Sequence, residues 1–399
     1  HALERGLETG RFEPLEASAF KRMSRGTLPA FLQGLFAQVF DERTGVLLQK
    51  PSVEAISCIR QICLMWKKVN IACSEERVDN AYRKFLECEN DVARLPEYTG
   101  YLPGLDPKVD RVRMVAGILW HRLGSSYSDA RRTNQLVPRH GPGATAERIS
   151  GNRKYTLRSW YARLQDHFPL DLFAVANWSW IGDPDIEAIN IVEPEDELPV
   201  RVTAVPKTLK SPRIIAIEPV CMQYVQQALM AFLVDELENG WYTSGHVNFR
   251  DQEVNQRHAL SSSRSGTHAT LDLKEASDRV SLNLVRLVLS QCPELLEALE
   301  SARSQKAVLP GGTQVHLSKF ASQGSATCFP VEAMVFFTLV TAACTKQYTP
   351  VTVDDIYEAV QGIYVYGDDL IVPTDKVLTV LEYLEAFGLK VNYSKSFWT

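Results

Sequence analysis

Three aspartates offer this sequence its clearest chemistry. Asp368 and Asp369 stand side by side in "IYVYGDDLIVP" (363–373), between two short apolar runs, and Asp272 stands in "HATLDL" (268–273). Two adjacent carboxylates repel by roughly 4 kcal/mol at an effective dielectric near 20, and burial adds a desolvation cost. A divalent cation removes both penalties. The competing reading is an exposed polar turn, since Gly-Asp is ordinary turn chemistry. If the strand of Asp272 neighbours the 363–373 segment, three carboxylates converge into an oxygen-rich cluster that suits Mg²⁺. Two such ions form the usual site for phosphoryl and nucleotidyl transfer, one activating a hydroxyl and the other stabilising the leaving pyrophosphate.

The cationic complement is "RVTAVPKTLKSPRIIAIEP" (201–219), where Arg201, Lys207, Lys210 and Arg213 precede the first acid, Glu218. Alone it reads as a solvated charged loop, made extended by Pro206 and Pro212. Beside an Asp cluster it supplies the cationic donors that a triphosphate needs.

The elements that must position these groups are legible mainly in the C-terminal half. The β-branched and aromatic residues of 363–372 predict a hairpin with Asp368 and Asp369 at its tip and Gly367 in the turn. Residues 268–273 predict a strand, and "SDRVSLNLVRLVLSQC" (277–292) a helix capped by Ser277 or Asp278. "AVLPGGTQVHL" (307–317) predicts a hairpin at Gly311-Gly312. A small-residue loop, "ASQGSATCF" (321–329), leads to a helix opened by Pro330. "TDKVLTVLEYLEAFG" reads as a helix closed by Gly388, and 389–392 as a last strand. This order suits an α+β fold with helices packed on one face of a sheet. Residues 1–130 read mainly as helices; in "SVEAISCIRQICLMWKKVN" Ile56, Ile59, Cys63 and Trp66 recur at helical spacing. "RHGPGATAE" (139–147) reads as a break followed by a helix start. The acidic, Pro-punctuated 183–199 reads as a loop or lobe boundary.

Composition is globular, with 45% hydrophobic residues among 399, enough for one multi-lobed unit or two to three domains. The net charge of -5 disfavours a protein devoted to coating nucleic acid, but leaves room for a local basic channel. Eight cysteines without a C-x-x-C pair read as reduced core residues rather than a disulfide framework or zinc site. The histidines show no metal spacing. The longest uncharged apolar run, 333–344, is too short to span a membrane, and no signal peptide is visible. A start at His1 predicts a fragment or processed product.

"TLDLKEASDRVS", "SQGSATCFPVEAMVF" and "VYGDDLIVP" resemble motifs A, B and C of viral RNA-dependent RNA polymerases, most closely the replicase catalytic β subunit of single-stranded RNA phages, the levivirus type. "VPKTLKSPRIIAIEP" resembles motif F, "GLKVNYSKSF" motif D, and "LPGGTQV" the hairpin before motif B. "HGPGAT" is similar to a segment near the template entrance. The resemblance covers about residues 201–397. It implies a right-hand fold with an antiparallel palm sheet backed by helices and a helical N-terminal and fingers region. The implied division is 1–200 for the N-terminal region and part of the fingers, 201–262 for fingers with motif F, and 263–292 for palm with motif A. A fingers hairpin insertion at 293–318 and palm with motifs B, C and D at 319–399 complete it. Motif E and the thumb are expected to be missing.

The same resemblance implies roles. Asp272, Asp368, Asp369 and the Leu273 carbonyl would hold two Mg²⁺, with Mn²⁺ as a substitute. Lys207, Lys210 and Arg213 would grip the NTP, and Lys395, or alternatively Lys390, would protonate pyrophosphate. Ser322 and Gly324 would approach the template. Ser277, Asp278, Ser325 and Thr327 would surround the ribose, with Asp278 or Ser277 contacting Ser325 or Thr327. Ser325 departs from the Asn found there in leviviruses; Ser325 or Thr327 could still hydrogen-bond a hydroxyl. The implied partners are RNA template and product, NTPs, host translation elongation factors and a ribosomal protein, in the cytoplasm of an infected bacterium. A reverse transcriptase is the nearest rival, but its aromatic residue five positions after the first Asp is here Ser277. A degenerate RNA-binding protein is the rival from another class, disfavoured by three intact acids.

Overall fold

The computed structural model describes residues 2–398 apart from 23–25, 66–72, 150, 175–181, 183, 209–210 and 348–349. Two compact units result. One comprises His1–Val78 and Pro206–Pro212, the other Asp79–Val205 and Arg213–Thr399.

In the first unit a small core gathers Phe12, Leu28, Val39, Phe40, Ala55 and Ile59. The helix expected from residue 52 spans Val53–Met65 and buries Ala55 and Ile59. Cys63 is exposed, contrary to its reading as a core residue, and Trp66 lies outside the described residues. Ile62, Leu64 and Met65 also reach solvent, so helical spacing identified the element but overstated its buried face.

The second unit is α+β. Its strands are β1 (Ser159–Tyr161), β2 (Asn190–Val192), β3 (Val200–Val205), β4 (Arg213–Ile217), β5 (His268–Lys274), β6 (Lys306–Val308), β7 (Gln314–His316), β8 (Tyr364–Tyr366), β9 (Asp369–Pro373) and β10 (Lys390–Val391). They form a sheet of order β10-β5-β9-β8, another of order β4-β3-β6-β7, and the parallel pair β1-β2. The acidic stretch therefore carries a strand, β2, where a loop was expected.

The helices that frame the sheets are α1 (Glu75–Ala93, entering this unit at Asp79), α2 (Pro107–Leu119), α3 (Val220–Asn239), α4 (Ala276–Arg279), α5 (Leu282–Val288), α6 (Cys328–Cys344) and α7 (Val377–Ala386). Nearly every α6 side chain is buried, as befits a helix that is apolar all round. It packs against α7, α2 and α3. Phe336, Phe337, Leu339 and Val340 are fully buried, each stabilising the core by roughly 1.5–3 kcal/mol. Helix α6 starts two residues before Pro330, with Thr327 at its N-cap position. Pro330 still sits in the first turn, where a missing N–H breaks no intrahelical bond.

Three local expectations need correction. The helix expected over 277–292 is split into α4 and α5. Between them Val280 is extended and accepts from the Phe320 N–H at 2.8 Å, while the Leu282 N–H donates to the Ser318 carbonyl at 3.0 Å. Ser281, not Ser277 or Asp278, caps α5 by accepting from the Leu284 N–H. Residues 139–147 start no helix; they form an ordered loop whose Glu147 carboxylate accepts from the Val220 N–H at 3.0 and 3.1 Å, closing the N-terminus of α3. Finally, Cys58 and Cys73 are only half-buried.

Candidate active site

Strand β5 is the spine of the site. Its side chains alternate, burying Ala269, Leu271 and Leu273 on one face while Thr270 and Asp272 lie on the other, less buried face. Asp272 is thus not forced into the apolar core by its leucine neighbours. Register does the rest: β5 pairs antiparallel with β9, placing Asp272 opposite Asp369. Strand β8 pairs with β9, Tyr366 opposite Asp369, so Gly367 and Asp368 form the two-residue turn. Gly367 has φ +60°, and positive φ at the first central residue suits the twist of a tight hairpin. A Cβ there would also meet Phe329 Cε2 at 2.1 Å. Asp369 is the first residue of β9, so of the two aspartates only Asp368 lies in the turn.

Charge is concentrated where these elements meet. The Asp369 carboxyl is raised above its usual range, first by desolvation against the sheet and then by the charges of Asp368 and Asp272; a hydrogen bond with Gln252 and the Lys395 charge act the other way. Both Asp368 and Asp369 reach solvent. Asn392 Nδ2 donates to Asp272 Oδ2 at 2.7 Å, and Lys395 Nζ lies 3.4 Å from both Asp272 oxygens. The backbone is pinned as well: the Asn392 N–H donates to the Asp272 carbonyl at 2.8 Å, and the Asp272 N–H donates to Ser396 Oγ at 3.0 Å. Because carbonyls alternate along a strand, Leu273 presents its own towards the hairpin turn.

Among the described residues no group of three or more His, Cys, Asp or Glu side chains is disposed to hold a metal ion as it stands; the Asp272 carboxylate is engaged by Asn392 and Lys395. The donor chemistry nevertheless fits Mg²⁺. Three carboxylates and a carbonyl are hard oxygen ligands, and a divalent cation would offset both the desolvation that chiefly raises Asp369 and the repulsion from Asp368 and Asp272 that adds to it.

The loop before α6 is locked to β4. The Gln323 carbonyl accepts from the Ala216 N–H at 2.8 Å. Gly324, at φ +126°, lies so close that a Cβ would come within 2.0 Å of the Ala216 carbonyl oxygen. Ser322 Oγ is buried without a hydrogen-bond partner. Of the basic run, Arg213 opens β4 opposite Val205 and is exposed. Lys207 is exposed on the turn that belongs to the first unit, and Lys210 lies outside the described residues. Lys390 is directed to Asp91 at 2.8 Å, so of the two lysines considered as proton donors it is Lys395 that stands at Asp272.

The four residues expected around a ribose take other partners. The Ser277 hydroxyl donates to Glu332 Oε2, Asp278 Oδ1 pairs with Lys319 Nζ at 2.9 Å, and Ser325 Oγ lies 3.0 Å from Thr327 Oγ1. The expected contact between motif A and motif B thus runs through Glu332 instead. Glu332, buried one turn into α6, is raised to about 8 by burial, with Asp368 and Asp278 adding to it. Sequence reasoning did not single out Glu332, Lys319 or Asn392. Asn392 stood inside a quoted motif; nothing in composition marked Lys319 for burial.

Residues 189–399 match the family described as RNA replicase, beta-chain. That is more than half of the sequence, and the chain belongs to this family. It is 34% identical over 197 residues to the RNA-directed RNA polymerase subunit beta of Escherichia virus Qbeta, covering 49% of this chain and 31% of that protein. To the RNA-directed RNA polymerase beta chain of Escherichia phage MS2 it is 34% identical over 197 residues, 49% of this chain and 33% of the relative. With the subunit of Qbeta virus strain MX1 it shares 31% over 198 residues, 50% and 31%. The chain spans about a third of the length of the curated relatives it matches.

Proposed function

We propose that this chain carries out template-directed RNA synthesis, transferring a nucleotidyl group from an NTP to the 3′-OH of an RNA growing on an RNA template. The observation that carries the reading is the pairing of Asp272 with Asp369 across β5 and β9, with Asp368 in the adjoining turn. Held by these carboxylates and the Leu273 carbonyl, two Mg²⁺ ions, or Mn²⁺ in their place, would lower the pKa of the 3′-OH and neutralise the departing pyrophosphate.

The protein's own groups do the rest. Asn392 holds one oxygen of the Asp272 carboxylate and Ser396 holds its backbone N–H. Lys395 is the proton donor to pyrophosphate. Arg213, Lys207 and Lys210 bind the triphosphate. Ser277, Asp278, Ser325 and Thr327 line the sugar, and Ser322 with Gly324 approaches the template. The division into fingers and palm follows the family pattern, with β5, β8, β9 and β10 as the palm sheet and β3, β4, β6 and β7 in the fingers. Such an enzyme copies phage RNA inside an infected bacterium, and host elongation factors and a ribosomal protein are its proposed partners. No helix among the described residues is long and apolar enough to cross a membrane.

Primer extension on an RNA template with Mg²⁺, comparing NTPs with dNTPs, tests the proposal. Incorporation that needs Mg²⁺ and prefers NTPs supports it. Incorporation that prefers dNTPs moves the protein to the reverse transcriptases.

A further inference from the structure

Lys319 is, among the described residues, the most deeply buried cation of the second unit, with no exposed side-chain surface. Its Nζ lies 2.9 Å from Asp278 Oδ1, 3.3 Å from Glu89 Oε2 and 3.6 Å from the centre of the Phe85 ring. Burying an ammonium is expensive, and an apolar side chain of similar volume would fill the space at less cost. The same helix, α1, grips this region twice more. Glu89 Oε1 accepts from the backbone N–H groups of Ser318 and Lys319, and Cys88 Sγ donates to the Asp278 carbonyl at 3.6 Å. Next along the chain, Arg279 pairs with Asp91 on α1 at 3.1 Å. The segment 278–279 is therefore clamped by an N-terminal helix and by the residue just ahead of the 321–329 loop. Asp278 keeps 21% of its side chain exposed, so one oxygen is held from behind while the carboxylate still faces outward.

We propose that Lys319, held by Glu89, is a positioning residue that fixes the Asp278 carboxylate as an acceptor for the sugar of the incoming nucleotide. The inference rests on the reading that Asp278 lines the ribose site. Helix α1 lies outside the matched family segment, and in this arrangement it supports nucleotide selection without touching the nucleotide. A preset acceptor rewards the 2′-hydroxyl, whereas one left to rotate does so less.

The test uses the intact protein carrying this sequence, an RNA template, and the ratio of kcat/KM for ATP and dATP. Lys319→Met alone leaves Asp278 and Glu89 facing each other and lowers Tm. Lys319→Met with Glu89→Gln removes one positive and one negative charge, so the cluster keeps its net charge and the fold its stability. The inference predicts that this double variant melts like the parent yet loses about tenfold in the ATP/dATP ratio, the worth of one well-placed hydrogen bond. It also predicts that Asp278→Ala loses about as much. A double variant that melts like the parent and keeps the parental ratio, while Asp278→Ala lowers it, overturns the role of Lys319 and leaves the ribose reading intact. Asp278→Ala with the parental ratio overturns both. If the double variant does not fold, Lys319→Met alone, assayed below its own Tm, decides: the ATP/dATP ratio must fall about tenfold, and the parental ratio overturns the inference.

Discussion

Gly324→Ala puts the packing of the 321–329 loop to a direct test. The added Cβ would stand 2.0 Å from the Ala216 carbonyl oxygen and 3.1 Å from Ile215 Cγ2, at φ +126°. An L-residue held in so sparsely populated a region costs about 1–3 kcal/mol. Strand β4 cannot retreat, because Ala216 is paired with Val202 of β3. The loop must move instead, giving up the 2.8 Å bond between the Ala216 N–H and the Gln323 carbonyl, worth about 1 kcal/mol. The sum is about 2–4 kcal/mol, which in a protein of this size lowers Tm by roughly 2–5 °C. Gly312→Ala is the control: it also has positive φ, +89°, but nothing lies within 4 Å of its Cβ. Melting followed by circular dichroism, with template-directed synthesis measured on both variants, reads the difference. The reasoning is refuted if Gly324→Ala melts no lower than Gly312→Ala.

Other perturbations follow from the same geometry. Gly367→Ala should distort the β8–β9 turn against Phe329 and cut synthesis, seen as a lower kcat with the fold retained by circular dichroism; an unchanged kcat would count against the turn as a positioning element. Glu218 is buried and raised to about 7, chiefly by burial, despite the hydrogen bond that Ser304 Oγ donates at 2.5 Å. Its native state holds a proton that the unfolded chain releases above pH 4.5, so stability falls as pH rises from there to about 7, by at most about 3 kcal/mol. Glu218→Gln should flatten that slope in urea titrations run at several pH values, and an unchanged slope would remove Glu218 as its source. Arg213→Ala should raise KM for NTP with Tm unchanged; normal kinetics would exclude Arg213 from the triphosphate site.

The strand pairing of the site was legible because its signals are local. Alternation in 268–273 and the Tyr-Gly-Asp-Asp turn between two β-rich runs define β5, β8 and β9, and an apolar run of fitting length defines α6. Other features depend on partners distant in sequence. The break between α4 and α5 comes from backbone pairing with 318–320, which no helix propensity records. Lys319 is buried because Glu89, some 230 positions earlier, and Asp278 surround it. Asp272 stands between two leucines in sequence, yet the two faces of β5 separate it from them. The partners of Ser277 and Asp278 were missed for a similar reason: Glu332 and Lys319 reach them only once α6 and the 318–320 segment are in place.

The most direct test of the account is Asp369→Asn in Mg²⁺-dependent primer extension on an RNA template. Asparagine keeps the size of the side chain and leaves the backbone pairing with Asp272 untouched, while removing the charge that completes the carboxylate cluster. The account predicts that NTP incorporation falls at least about a hundredfold, with Tm unchanged or higher because the desolvation and the repulsion from Asp368 and Asp272 that raise the Asp369 carboxyl are gone. Incorporation at the parental rate by the folded variant would contradict it.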